Sequence, residues 1–266
     1  MEALVVQGGV LLVFLALEKV FPRSRVTFLS RQTWINVVTG GLLFALKAAF
    51  VALLYMVIGG LEIPRLVPVP FRSPFAQLAF AFVISDFCRY WLHRAHHEVA
   101  FLWRFHRVHH SCRQLNVTSG LRMHLVDFIQ LALLPFLLFG VIFDTRAFDA
   151  RVWTALAFIV AAMDAFSHAD MRYPLEGKVA KAWYTLFNTP HFHSWHHTTD
   201  PERYNGNYSQ TLVIWDRLFG TAVDEPRPPE ELGLDADQDL EDSIIGLQLL
   251  RPSRSTYRAV SSGSGA

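Results

Sequence analysis

Residues 86–110 read DFCRYWLHRAHHEVAFLWRFHRVHH. Six histidines, His93, His96, His97, His106, His109 and His110, fall within 18 residues at the end of a long apolar run. A second cluster, HFHSWHH, holds His191, His193, His196 and His197. All 12 histidines lie between positions 93 and 197, with none in the first 92 residues or the last 69, so they mark a site. His93 and His97 are four apart and project from one helix face. Asp86, Tyr90, His93 and His97 follow spacings of 4, 3 and 4, so one stripe carries an acid, a phenol and two imidazoles. Such an acid can take the outer ring N–H of a metal-bound histidine. In His106-x-x-His109-His110 the last two rings diverge by about 100°. One HxxHH helix can therefore serve two neighbouring metals, and His193-x-x-His196-His197 repeats the pattern.

Outward from the histidines the chain is apolar. Hydrophobic residues make up 52% and charged residues 18%, which is apolar for a soluble protein. The net charge of +1 gives no argument for nucleic acid. Cys88 and Cys112 cannot build a disulfide framework or a zinc finger. Apolar runs at 3–17, 35–60, 75–92, 125–143 and 152–168 are candidate membrane helices. Lys47 interrupts the second, where it can snorkel or face other helices. The Pro-rich 61–74 reads as a loop. The short turn DTRAFDAR predicts that the last two runs form an antiparallel hairpin. Lys19, Arg23, Arg25 and Arg31 after the first run, and the arginines between 89 and 122, put those regions on the cytoplasmic side, with both histidine clusters and His168. The expected fold is an all-α integral membrane bundle of four to five membrane helices under a cytosolic, histidine-rich di-metal cap. Residues 1–73 would form the N-terminal helices and loop, 74–222 the histidine-box catalytic domain, and 223–266 a polar, partly disordered tail.

Imidazole suits zinc, copper, iron and nickel. Eight histidines from three boxes exceed the four ligands of a structural zinc site, and His168 makes nine. The count matches two metals with four or five ligands each. Iron is favoured because zinc does no redox chemistry. HExxH fails, because His97-Glu98 lacks the second histidine, and no GxSxG, GxxxxGK[ST] or GxGxxG occurs. A non-catalytic metal-binding or transport protein is the competing class. Transport predicts ionisable residues threading the spans, and here only Lys47, Asp127 and Asp164 lie away from the clustered face. An acyl-lipid desaturase is a further alternative, but its first box usually has a four-residue gap where this one has three. His96 faces away from the 93/97 stripe and reads as structural.

The run YWLHRAHHEVAFLWRFHRVHHS, with RMH at 122–124, SHAD at 167–170, TPHFHSWHHTTD at 189–200 and NYSQTLVIWDRLFGT at 207–221, resembles the fatty acid hydroxylase superfamily, which includes sterol desaturases and sterol methyl oxidases. The resemblance spans roughly 75–222. It implies a membrane oxygenase with two non-haem irons that hydroxylates or desaturates a lipid C–H bond. O2 would be the co-substrate, and electrons would come from a separate cytochrome- or ferredoxin-type partner. Carried over by position, the ligands are His93, His97, His106, His109, His110, His168, His193, His196 and His197. Some members have a further histidine where Asp164 stands here. Asp164, His124 or His191 could replace it, or the position could stay open. Asp86 and Tyr90 are the remaining candidates for contact with the ligands. Ser209 departs from the family's NYG, and Trp215, Asp216 and Arg217 are expected to be structural.

Overall fold

The computed structural model describes residues 2–24, 30–58, 65–173 and 176–253. The long helices are α1 (Glu2–Val20), α2 (Arg31–Ile58), α3 (Pro74–Glu98), α5 (Leu125–Phe136) and α6 (Ala150–His168), with the shorter α4 (Ala100–His110) following α3. They alternate in direction: α1, α3 and α6 end, and α2 and α5 begin, at one end of the bundle, where the histidines collect. Phe14 of α1 meets Phe166 of α6, and Glu18 accepts the backbone N–H groups of Val117 and Asp170. Phe44 of α2 meets Phe128 of α5. At the far end Ala81 of α3 packs with Leu138, Phe139, Val152 and Leu156, so α3 is wedged between the helices on either side of the 143–149 turn.

Local sequence explains the breaks. Pro74 begins α3, where its missing N–H costs nothing and its fixed φ suits the first turn. Val99 is the one extended residue between α3 and α4, with φ −98° and ψ 109°. A β-branched residue accepts that conformation readily. The kink folds α4 back so that its histidines face those of α3. Pro135 removes a hydrogen bond inside α5, and the helix widens into a π turn over Leu137–Ile142. The chain then makes a short parallel pairing of Phe143–Asp144 with Val67–Pro68. Gly40 lets α2 approach the 3-10 turn Val117–Leu121, since a Cβ there would lie 2.7 Å from Leu121 Cβ.

Three helical stretches among the described residues are long and apolar enough to cross a membrane: Arg31–Phe50, Leu125–Ile142 and Ala150–His168. The sequence reading of four to five counted α1 and α3 as well. α3 carries Asp86, Arg89 and three histidines along its length, which lowers its apolarity. The side chain of Lys47 lies outside the described residues, as do the Ser/Arg/Gly-rich residues from 254 onward. Much of the polar segment after 222 is ordered against the bundle. It folds back as far as residue 253 and adds α10 (Ile244–Gln248), whose Leu247, with Leu240, joins Ile35 and Val108 in a buried cluster. Isolated apolar residues among acids hid this docking, because no periodicity marks so short a helix.

Candidate metal centre

α3 and α4 bring five of these rings together, α8 (Pro190–His196) with His197 brings three more, and His168 at the end of α6 completes the set. Thr189 caps α8 by accepting from Phe192 N, and Pro190 starts it, which fixes the box in helical form. All nine histidines carried over from the family boxes are buried at one place. They fall into two adjacent groups: His93, His97, His106, His110 and His196, and His109, His168, His193 and His197. Within each group the ligand atoms lie within 4.8 Å of one another. Each HxxHH box is split between the groups. His106 and His110 join one while His109 joins the other, and His193 and His197 join one while His196 crosses over. The divergence of adjacent helical residues by about 100° produces this split.

The ring nitrogens show what the groups fit. His109 Nδ1 donates to Arg122 O at 3.2 Å, and His168 Nδ1 donates to Asp164 O at 2.8 Å. Carbonyls only accept, so both protons sit on Nδ1 and both Nε2 atoms carry bare lone pairs. Those two Nε2 atoms nevertheless face each other at 3.3 Å. His168 Nε2 lies 3.1 Å from His193 Nε2, which lies 3.1 Å from His197 Nε2. In the other group His93 Nδ1 donates to Tyr208 O at 2.7 Å and His196 Nδ1 to Gly206 O at 2.8 Å. His93 Nε2 sits 3.1 Å from His106 Nε2. The Nε2 atoms of His97, His110 and His196 are buried without a partner among the described residues. Converging bare nitrogens repel unless a cation lies between them. Two nitrogens each about 2.1 Å from one metal ion are about 3.0–3.4 Å apart. The residues present fit a pair of metals bound through imidazole Nε2.

Protonation agrees. Burial, followed by the charge of neighbouring imidazoles, holds His93, His97, His109, His110, His193 and His197 well below the ordinary histidine range. Burial pushes His196 down to about 3. These rings are therefore neutral at pH 7, the form that binds metal. Removing metal leaves the facing lone pairs uncompensated. A strong chelator is expected to lower the thermal midpoint by roughly 5–10 °C, since ligand at a hundredfold excess over Kd contributes about 2.7 kcal/mol. Differential scanning fluorimetry with and without added metal checks this.

The other candidates lie elsewhere. Asp86 Oδ2 accepts from Leu212 N at 3.0 Å and Trp215 Nε1 at 2.9 Å, and it bonds no histidine among the described residues. It stands two helical turns before His93, about 10 Å along the axis. There it anchors the segment entering α9 (Ile214–Phe219). Tyr90 bonds Thr221 Oγ1 at 2.9 Å. His124 caps α5, accepting from Val126 N and donating to Gln248 O, so both nitrogens are used. His191 Nε2 bonds Glu225 O at 2.6 Å. The Asp164 carboxylate pairs with Arg89 at 2.9 and 3.0 Å, and only its backbone carbonyl serves a histidine. None of Asp164, His124 and His191 enters either group, and the second group has four histidines against five. His96 stacks on His106, with ring centroids 5.1 Å apart, and bonds the Gln130 side chain.

Several contributors were missed from sequence. Asp127 accepts from His106 Nδ1 at 3.2 Å and is the sole carboxylate on an outer ring nitrogen of the nine among the described residues. An acid inside an apolar helix was the available signal. Gly206 and Tyr208 flank Asn207, a left-handed residue with φ 55°. Asn207 is pinned by bonds to Phe192 O, Val223 O and Val223 N. Asp216, expected from sequence to be structural, holds this loop through Tyr208 N and Ser209 N, both at 2.9 Å. Trp103 stacks on Tyr204 at 5.4 Å and lies 5.0 Å from His97 and 5.3 Å from His110, closing the site toward water.

The fatty acid hydroxylase model matches residues 78–221, more than half of the chain, and the match includes all nine grouped histidines. The chain belongs to the fatty acid hydroxylase family. An ornithine lipid hydroxylase, OlsE, of Rhizobium tropici is 35% identical over 164 residues, covering 60% of this chain and 46% of that protein. The alkylglycerol monooxygenase of Xenopus tropicalis is 33% identical over 176 residues, covering 60% of this chain and 33% of its own. A fatty acid hydroxylase, vlmA, of a Lecanicillium species is 30% identical over 154 residues, 53% of this chain and 40% of the relative. This chain therefore spans less than half the length of these relatives. No solved structure matches it.

Proposed function

We propose that this chain is a membrane-bound, O2-dependent lipid oxygenase with two non-haem irons, hydroxylating or desaturating a lipid C–H bond with electrons from a separate cytochrome- or ferredoxin-type protein. The observation that carries the reading is the pair of buried histidine groups whose bare Nε2 atoms converge at 3.1–3.3 Å. Imidazole ligation admits several metals, and redox chemistry selects iron over zinc. The named activities of the relatives, on ornithine lipids, alkylglycerols and fatty acids, support a lipid substrate.

In this reading His93, His97, His106, His110 and His196 hold one iron, and His109, His168, His193 and His197 hold the other. Bound there, the iron pair supplies the oxygen activation that no side chain can supply. The chain does the rest. Backbone carbonyls fix ring orientation and tautomer through Nδ1. Trp103 and Tyr204 keep bulk water from the five-histidine group. The four-histidine group, one ligand short of its neighbour, is where an open position falls. The apolar stretches ending at the site give a lipid a lateral approach. The histidine end faces the cytoplasm, on the charge bias of the adjoining loops.

Metal analysis of the purified protein tests the reading. Near two irons per chain are expected, reduced in a His109→Ala variant that also loses its lipid product in cells. A metal-free wild-type protein with normal lipid oxidation would sink it.

A further inference from the structure

α7 (Lys178–Leu186) is an amphipathic helix with no buried residue, and its apolar face is largely exposed apart from Trp183, which touches Phe187 and Phe166. Its sequence KVAKAWYTL places Val179, Ala182, Trp183 and Leu186 at i, i+3, i+4 and i+7. At 100° per residue these four fill an arc of about 100°. An arc of this kind ordinarily faces a core. Here Val179 is 84% exposed, Leu186 50% and Trp183 41%. The helix turns a different side to the protein, where Tyr184 packs edge-on to Tyr173 at 5.9 Å. The neighbouring α9 (Ile214–Phe219) also leaves Ile214 and Leu218 exposed. Arg217 of α9 donates to Thr185 O and joins the two.

The polar edge of α7 borders a cleft. Lys178, Lys181, Tyr184, Thr185, Arg217 and Asp224 line an open space of about 630 Å³. Arg217 Nη2 lies 4.0 Å from Asp224 Oδ2, a loose pair. Neither lysine ammonium has an acidic partner among the described residues, so the cleft carries uncompensated positive charge. α7 follows α6, the candidate span that ends at His168, and leads into the box at His193. Trp183 lies 6.4 Å from Phe166 of α6, centroid to centroid. An apolar face at the mouth of a membrane span, edged by lysines over a basic cleft, matches the chemistry of a bilayer interface. A soluble anion would leave the apolar face unexplained. A lipid satisfies both halves: acyl chains against Val179, Trp183, Leu186 and Leu218, and an acidic headgroup in the cleft.

We propose that α7 lies in the membrane interface and that the Lys178–Lys181–Arg217 cleft holds the anionic headgroup of a membrane lipid beside the metal centre. The proposal stands apart from the oxygenase reading, because binding is measured without turnover and without regard to which metal is present.

The experiment uses the full chain in two arms. Native mass spectrometry in mild detergent compares retention of phosphatidylglycerol with phosphatidylcholine, with inorganic phosphate as competitor. Phosphatidylglycerol is expected to be preferred, and Lys178→Gln with Lys181→Gln to lower its retention about thirtyfold, from two surface cations each favouring anionic lipid. Metal content and thermal midpoint are expected to stay at the wild-type level, which shows that the variant folds. In the second arm a nitroxide on Val179→Cys, in a Cys88→Ala background, is expected to report oxygen-rich lipid contact in vesicles containing phosphatidylglycerol. Equal retention of the two lipids, an unchanged double variant, or displacement by inorganic phosphate would overturn the proposal. So would a water-exposed label, or one broadened by a second copy of the chain.

Discussion

Alanine at His193 is expected to reduce the bound metal from two ions per chain to one and to abolish lipid oxidation. His193 stands at the centre of the four-histidine group, its Nε2 3.1 Å from both His168 Nε2 and His197 Nε2. Without it three imidazoles remain, and the cavity left behind admits water. Losing an outer hydrogen-bond partner alone costs about 10–100-fold in metal affinity, so loss of a ligand at the centre is expected to exceed about 100-fold. His97→Ala makes the contrast. It leaves four histidines in the five-membered group, and that group is expected to keep its metal at weakened affinity. His191→Ala, whose ring is committed to Glu225 O, is expected to leave both metals in place. Metal stoichiometry by mass spectrometry on the three variants reads the pattern. Equal loss in His193→Ala and His97→Ala would contradict the five-and-four division.

Asp216→Ala is expected to be the most destabilising change outside the histidines. The residue is fully buried, and its carboxylate accepts from Tyr208 N, Ser209 N and Thr221 Oγ1 at 2.9, 2.9 and 2.6 Å. Alanine leaves two buried backbone donors without an acceptor, each costing about 1–3 kcal/mol, and takes from the half-buried Thr221 hydroxyl one of its two partners. A total near 4 kcal/mol corresponds to a fall of roughly 10 °C in the thermal midpoint. The loop that relaxes is the one that carries the carbonyl for His93, so metal in the five-histidine group is expected to weaken too. Scanning fluorimetry and metal analysis of one preparation read both effects. A stable variant with depleted metal would show that Asp216 only orients the loop.

The shared face of His93 and His97 and the divergence of His109 from His110 were legible because helical periodicity makes i, i+3 and i+4 neighbours; the full set of nine, with His168 alone on its helix, came from the family resemblance. The structure adds the allotment of each ring to its group. The outer acceptors were not legible. His93 and Tyr208 are 115 residues apart, and the contact uses a backbone oxygen, which any residue type could supply. Asp86 misled for a related reason. It shares a helical stripe with His93 and His97, but a stripe says nothing of axial level, and Leu212 and Trp215 occupy its level. How residues 223–253 dock was not legible from composition: Trp103 Nε1 donates to Gln238 Oε1 at 2.8 Å, and Leu247 is buried, although the surrounding residues are acidic. α3 falls outside the three candidate spans among the described residues because it mixes apolar residues with charged ones.

Four of the nine rings are aimed by main-chain carbonyls, those of Arg122, Asp164, Gly206 and Tyr208. A carbonyl cannot titrate, and no point substitution deletes it. Around Asn207 two such oxygens, one residue to either side, serve His196 and His93 together. The alignment of both rings depends on the number of residues in the loop and on Asn207 at its centre, so a single insertion or deletion between Gly206 and Tyr208 would turn two ligands at once.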